Sequence, residues 1–138
     1  LKLAGALEAG RVREALRRLR RGEWVALFPE GEMRYPGPLG PLREGANWLA
    51  RKAGVPLLPV ALRVVLRGYE HPEAFLWVGR PLPPGGDLGR ALGGLLQALD
   101  ALLAKTHPRE VPEGFREVLR GRRSLEERVL PLVRLLRP

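Results

Sequence analysis

Apolar residues first recur at helical spacing: Val12, Ala15, Leu16 and Leu19 share one side, and Arg11, Arg13, Arg17, Arg18 and Arg20 take the other. That alternation predicts a helix over Glu8 to Arg21, stopped by Gly22. The pattern then changes. Trp24 to Phe28 is wholly apolar, as expected of a short strand buried on both faces, and it breaks off at Pro29-Glu30-Gly31. A proline-rich loop leads to a second helical segment, Gly45 to Ala53, closed by Gly54. The run "VPLLPVALRVVL", starting at Val55, predicts another buried strand with an irregular or edge entry at Pro56 and Pro59. Phe75 to Val78 predicts a further strand that leaves the sheet at Gly79.

After the turn at Pro83-Pro84-Gly85-Gly86, Asp87 stands where a helix N-cap belongs. Leu88, Leu92, Leu95, Leu96, Leu99, Leu102 and Leu103 then form the buried stripe of a long helix. Gly93 and Gly94 weaken it by about 1 kcal/mol each unless something packs close to them. Ser124 and Glu127 spell a capping box that opens a terminal helix toward Leu136. Helices and strands in this order predict an α/β fold, a largely parallel sheet flanked by helices, in a single domain over 1–138. The chain opens on Leu1 rather than Met, so it is expected to be incomplete at its N-terminus.

Charge changes this picture more than overall composition does. The 138 residues are 45% hydrophobic, enough for one buried core, but the net charge is +9. Of the basic residues only Lys2, Lys52 and Lys105 are lysine. Arginine binds phosphate and carboxylate in a bidentate fork, so anionic partners are expected, against the alternative of a merely solvated arginine surface. The absence of cysteine excludes disulfide and thiol chemistry and fits a reducing compartment. The longest apolar stretch, Val55 to Leu62, is too short to span a bilayer.

Elimination narrows the chemistry. Ser124 and Thr106 are the only hydroxyl side chains of their kinds, the first with a capping role and the second at a helix end, which argues against covalent catalysis. His71 and His107 are isolated and lack the spacing of a metal site, so no metal is expected. No glycine-rich phosphate loop with its lysine is present. Aromatic residues are 6% of the chain, and those in "EWVALF" and "AFLW" read as core, which leaves little for stacking on bases; no nucleic-acid partner is expected.

What remains is the acid at the end of the first apolar run. In an open α/β sheet ligands bind beyond the carboxyl ends of the strands, and Glu30 stands at such an end, between Pro29 and Gly31. Phe28-Pro29-Glu30-Gly31-Glu32-Met33-Arg34 resembles the Phe-Pro-Glu-Gly-Thr-Arg-Ser pattern of the glycerolipid acyltransferases, which include the lysophosphatidic acid acyltransferases. Leu42-Arg43-Glu44-Gly45 is similar to their Phe-Lys-x-Gly segment, and Val55-Pro56-Leu57-Leu58-Pro59-Val60 to their Val-Pro-Ile-Val-Pro-Val motif. The resemblance covers roughly residues 8–82 as a family-like core, with 83–138 as a helical C-terminal region.

The resemblance implies acyl transfer from a thioester, on coenzyme A or acyl carrier protein, to a hydroxyl of a lysophospholipid or glycolipid acceptor, with no cofactor beyond that co-substrate. It implies that Phe28, Pro29, Glu30, Gly31, Arg34, Arg43, Gly45, Val55, Pro56 and Pro59 bind substrate. Glu30 would hold acceptor hydroxyls, Arg34 an anionic headgroup, and "VPLLPV" would shape a tunnel for the acyl chain or acceptor. It further implies a peripheral enzyme on the cytoplasmic, inner face of a membrane; the oligomeric state stays open. Two departures qualify this. The family's His-x-x-x-x-Asp, whose histidine acts as general base, has no counterpart before Phe28, so the chain alone is expected to be inactive. The alternative is a non-catalytic remnant that binds membranes or a partner. In addition, Thr-Arg-Ser is replaced by Glu32-Met33-Arg34, which moves the guanidinium by one residue and places a carboxylate beside it.

Overall fold

The computed structural model describes residues 11–32, 34 and 37–121. In chain order the elements are α1 (Arg11–Arg20), α2 (Gly45–Ala53), β1 (Val60–Val65), β2 (Glu73–Val78) and α3 (Leu88–Lys105). The amphipathic pattern of the first segment produces α1, whose buried Ala15 faces inward while α1 packs on α2. Gly54 ends α2 in the left-handed conformation (φ 65°), which an L side chain rarely adopts, and Val55 donates its N–H to the Ala50 carbonyl. The predicted terminal helix from Ser124 lies outside the described residues.

The sheet differs from the expectation in three ways. Among the described residues it is a two-stranded antiparallel pair, with Val60 opposite Val78 and Val65 opposite Glu73. A largely parallel sheet is not formed there. The link at 66–72 is short enough for a hairpin-like return, whereas a parallel neighbour needs a crossover of about a dozen residues or more. Trp24 to Phe28 is also not a strand: it runs without assigned secondary structure, with Trp24 88% and Phe28 75% exposed. An apolar run specifies a buried strand only where a ladder partner exists, and β1 and β2 pair with each other.

Nor is β1 buried on both faces. One face of the pair carries Ala61, Val65, Phe75 and Trp77 into the core, and the other leaves Val60, Leu62, Val64, Leu76 and Val78 exposed. The proline-rich entry holds a single bridge, in which Leu57 and Leu82 exchange backbone hydrogen bonds of 2.9 and 2.8 Å.

α3 covers the inner face of β1. Its Asp87 caps the N-terminus as predicted, accepting the Arg90 N–H at 2.9 Å, and Leu88, Leu92, Leu96 and Leu99 are its buried residues. Leu96 and Leu99 join Ala61 and Phe75 in one core cluster; Leu88 and Leu92 join Ala46 of α2 in another, and Leu39 touches both. Each fully buried leucine or phenylalanine contributes about 1.5–3 kcal/mol. Among the described residues nothing approaches a Cβ placed at Gly93 or Gly94, so close packing there does not account for these two glycines.

Residues after α3 return over the sheet. The Phe115 ring meets Phe75 and Trp77 edge-on, each at 5.8 Å between centroids. Beneath this segment Arg67, with its side chain 9% exposed, bonds both Glu73 carboxylate oxygens (2.9 and 3.1 Å) and the Glu110 carbonyl (3.0 Å), and lies over the Phe75 ring.

Candidate functional site

The stretch from Phe28 to Gly45 folds back on itself through two backbone-anchored bonds. Arg43 donates its N–H to the Pro29 carbonyl at 2.7 Å, and Gly40 donates its N–H to Glu30 Oε1 at 2.8 Å. A tight turn in which Gly31 donates to the Phe28 carbonyl at 3.0 Å starts the loop, and Gly31 sits there at φ +70°. Proline removes a donor and glycine permits positive φ, which is why this tripeptide can reverse the chain while presenting an acid between them. Glu30 is thus half-buried and turned into the loop, with one of its oxygens on a backbone donor.

Three arginines surround that carboxylate's loop. Arg43 lies across Gly31 so closely that a Cβ there would be 2.5 Å from Nε, and Arg34 lies across Gly40, where a Cβ would be 2.8 Å from its Nε. Arg34 is also paired with Glu32 at 2.6 Å. The third is Arg63 of β1, which bonds Asp100 of α3 through Nε (2.7 Å) and Nη2 (2.8 Å), and bonds the Gly37 carbonyl through Nη2 (2.8 Å). The Asp100 hydrogen bonds raise the Arg63 pKa, desolvation opposes this, and the charges of Asp100 and Glu30 raise it further. The reciprocal bonds from Arg63 hold the Asp100 carboxyl below its ordinary range, against the opposing effect of burial.

Beside the loop lies an open cleft of about 1010 Å³. The 37–44 segment, α2 and the first turns of α3 form its walls, Arg63 and Asp100 contribute charge to it, and Gly85 and Gly86 lie at its edge. Asn47 and Arg51 of α2 face the same space, and the buried Asn47 Oδ1 has no donor among the described residues.

The predicted substrate-binding residues do not all converge. Pro29, Glu30, Gly31, Arg34 and Arg43 come together in the folded loop, and Gly45 begins α2 directly after it. Phe28 points its ring to the exterior. Val55, Pro56 and Pro59 stand apart at the entrance to β1, where the buried Pro59 accepts the Gly79 N–H at 2.9 Å and packs against Gly79. None of these ten lines the cleft. Sequence reasoning passed over Arg63 and Asp100. Each carried a signal: Arg63 is the one charge in the apolar run 55–66, and Asp100 the one acid within the leucine-rich α3. Among the described residues no cluster of acidic, histidine or cysteine side chains could hold a metal ion.

This loop, and the strand entry that follows it, lie within the segment that connects the chain to known proteins. Residues 6–63 match the acyltransferase family model, and over that segment the chain is similar to glycerolipid acyltransferases. The chain is 32% identical over 98 residues to a 1-acyl-sn-glycerol-3-phosphate acyltransferase of Pseudomonas aeruginosa, covering 64% of this chain and 37% of that protein. It is 36% identical over 84 residues to an N-acylphosphatidylethanolamine synthase of Arabidopsis thaliana, covering 58% and 28%. A chloroplastic 1-acyl-sn-glycerol-3-phosphate acyltransferase of Brassica napus is 43% identical over 44 residues, covering 32% and 13%. The chain therefore spans less than two fifths of the length of each of these relatives. No solved structure matches it significantly.

Proposed function

We propose that this chain is the acceptor-binding portion of an enzyme that transfers a fatty acyl group from a thioester, on coenzyme A or acyl carrier protein, to a hydroxyl of a glycerolipid-type acceptor. The observation that carries this is the family match over the segment that folds Glu30 into its arginine-flanked loop. In the proposed reaction the acceptor oxygen attacks the thioester carbonyl, the C–S bond breaks, and the hydroxyl proton passes by way of a general base to the departing thiol. Within these 138 residues no His-x-x-x-x-Asp precedes Phe28, so the base is assigned to polypeptide outside the sequence, and this chain by itself should transfer no acyl group. Glu30 keeps acceptor capacity beyond the bond to Gly40 and binds an acceptor hydroxyl.

The headgroup is proposed to be neutral or zwitterionic rather than a phosphate monoester. The support is the 2.6 Å ion pair between Glu32 and Arg34: the carboxylate neutralises the guanidinium that would otherwise meet a phosphate. An acceptor panel on the full-length protein tests it, with the double change Glu32→Thr/Met33→Arg as comparison. The natural sequence should favour acceptors without a terminal phosphate, and the double variant should shift toward lysophosphatidate. If the natural sequence already uses lysophosphatidate best and the change does nothing, the headgroup reading is wrong.

Peripheral attachment to the inner, cytoplasmic face of a membrane is part of the same proposal. Exposed Arg11, Arg13, Arg17, Arg18 and Arg20 of α1 support it, as do the nearby exposed rings of Trp24 and Phe28. Among the described residues no helix is long and apolar enough to cross a membrane. Each arginine near an anionic surface contributes about 1 kcal/mol, screened by salt. Sedimentation with anionic vesicles that weakens as salt rises is expected; equal binding to neutral and anionic vesicles at every salt concentration would refute it. The second reading, a non-catalytic membrane- or partner-binding remnant of this fold, is favoured only by the missing dyad, and an in-frame His-x-x-x-x-Asp upstream would remove it.

A further inference from the structure

We infer that Asp100, on the long helix beyond the family-matched segment, is a positioning residue for Glu30 and acts on it through Arg63. The inference rests on the reading of Glu30 as the acceptor-binding group, and adds to it the part of the fold that holds that group in place.

The connection is a chain of short contacts between three separate parts of the structure. Asp100 takes two bonds from the Arg63 guanidinium, at 2.7 and 2.8 Å. The same Nη2 that reaches Asp100 also donates to the Gly37 carbonyl at 2.8 Å. Three residues further on, Gly40 donates its N–H to Glu30 at 2.8 Å. A guanidinium is a rigid planar fork, so once two of its donors are fixed on a carboxylate the direction of the remaining bond is fixed too. Asp100 therefore sets where Gly37 sits, and Gly37 limits where Gly40 can present its amide. Arg63 is only 19% exposed at its side chain, which keeps the fork packed between β1 and α3.

Charge adds a second link. Arg63 is close enough to Glu30 for the carboxylate to contribute to the rise in its pKa. Without Asp100 the guanidinium would have Glu30 as a competing carboxylate partner, and a direct pair would take up the oxygen that the acceptor hydroxyl needs. Asp100 thus both anchors the loop and occupies the arginine that could quench Glu30.

The neighbouring features do not offer this. The cleft beside the loop contains Arg63 and Asp100 but none of the residues predicted to bind substrate, and among the described residues no side chain covers the apolar face of Val60, Leu62, Val64, Leu76 and Val78.

The test has two readouts. In the 138-residue chain, hydrogen exchange of the Gly40 amide is compared with that of the β1–β2 ladder amides for the natural sequence, Asp100→Asn, Asp100→Glu and Arg63→Lys. Loss of one partly exposed charge-assisted contact predicts about five- to tenfold faster exchange at Gly40 in Asp100→Asn and Arg63→Lys, with the ladder unchanged. Asp100→Glu, which keeps the charge, should restore most of the protection. Unchanged Gly40 exchange overturns the inference, and so does a rise shared equally by the ladder, which would mark Asp100 as a general stabiliser. In the full-length enzyme, Asp100→Asn should raise the KM for the acceptor about fivefold, with kcat and the donor KM unaltered, as expected when a uniform binding contact is misplaced. Faster Gly40 exchange with an unaltered acceptor KM would leave the structural link standing and overturn the assignment of Glu30 to the acceptor.

Discussion

Gly31→Ala is the sharpest perturbation of the loop, because the structure separates its cost into two parts. Gly31 has φ +70°, so any L side chain there occupies the left-handed region at roughly 1–2 kcal/mol. The second part is steric. The new Cβ would stand 2.5 Å from Arg43 Nε and 2.6 Å from its Cδ, so the arginine must swing off the glycine. Arg43 is exposed and flexible, and its displacement adds no more than about 0.5 kcal/mol. The sum is about 1–2.5 kcal/mol, which lowers Tm by about 3–12 °C in a domain of this size. Calorimetry on the natural sequence, Gly31→Ala, Arg43→Ala and the double variant closes a cycle. The backbone part should persist in the Arg43→Ala background and the steric part should vanish there. A Gly31→Ala protein with an unchanged Tm in both backgrounds would refute the assigned conformation, and with it the turn that orients Glu30.

Other outcomes follow from the packing and the charges. Leu99→Ala removes a fully buried side chain from the cluster joining α3 to the sheet and should cost about 2–5 kcal/mol, read by urea unfolding; a loss below 1 kcal/mol would mean that α3 is not packed there. Glu73→Ala strands the Arg67 guanidinium, 9% exposed, and should cost about 3 kcal/mol, whereas Arg67→Met/Glu73→Leu should recover most of that loss; equal losses in the two would contradict a buried pair. Arg63 holds the folded-state pKa of Asp100 down, so the pair's stabilisation is complete above the unfolded carboxylate value of about 3.9 and is lost as pH falls through the lower folded value. Asp100 is half exposed, which limits the contribution to under about 1 kcal/mol, and the stability difference between the natural sequence and Asp100→Asn should vanish in acid; a difference that persists once the carboxyl is protonated in both the folded and the unfolded state would show that the charge is not its source.

Local chemistry along the chain determined α1, α2, α3 and the Asp87 cap, because helix periodicity and capping depend on residues within a few positions of one another. It also determined the turn at Pro29-Glu30-Gly31 and, through motifs at fixed spacing, the likeness to acyltransferases over residues 6–63. Strand identity was another matter. Trp24 to Phe28 is wholly apolar and Val60 to Val65 carries Arg63, yet only the second is in a ladder, because a strand requires a partner that its own composition does not name. Only the tertiary structure could show that the sheet pairs antiparallel and leaves one apolar face open. The site divides along the same line. Glu30, Arg34 and Arg43 were legible as a motif, but Asp100 lies 37 positions from Arg63 in the chain and nothing local connects them. Their pairing, and the hold it gives on the loop around Glu30, exist only once α3 has packed across β1.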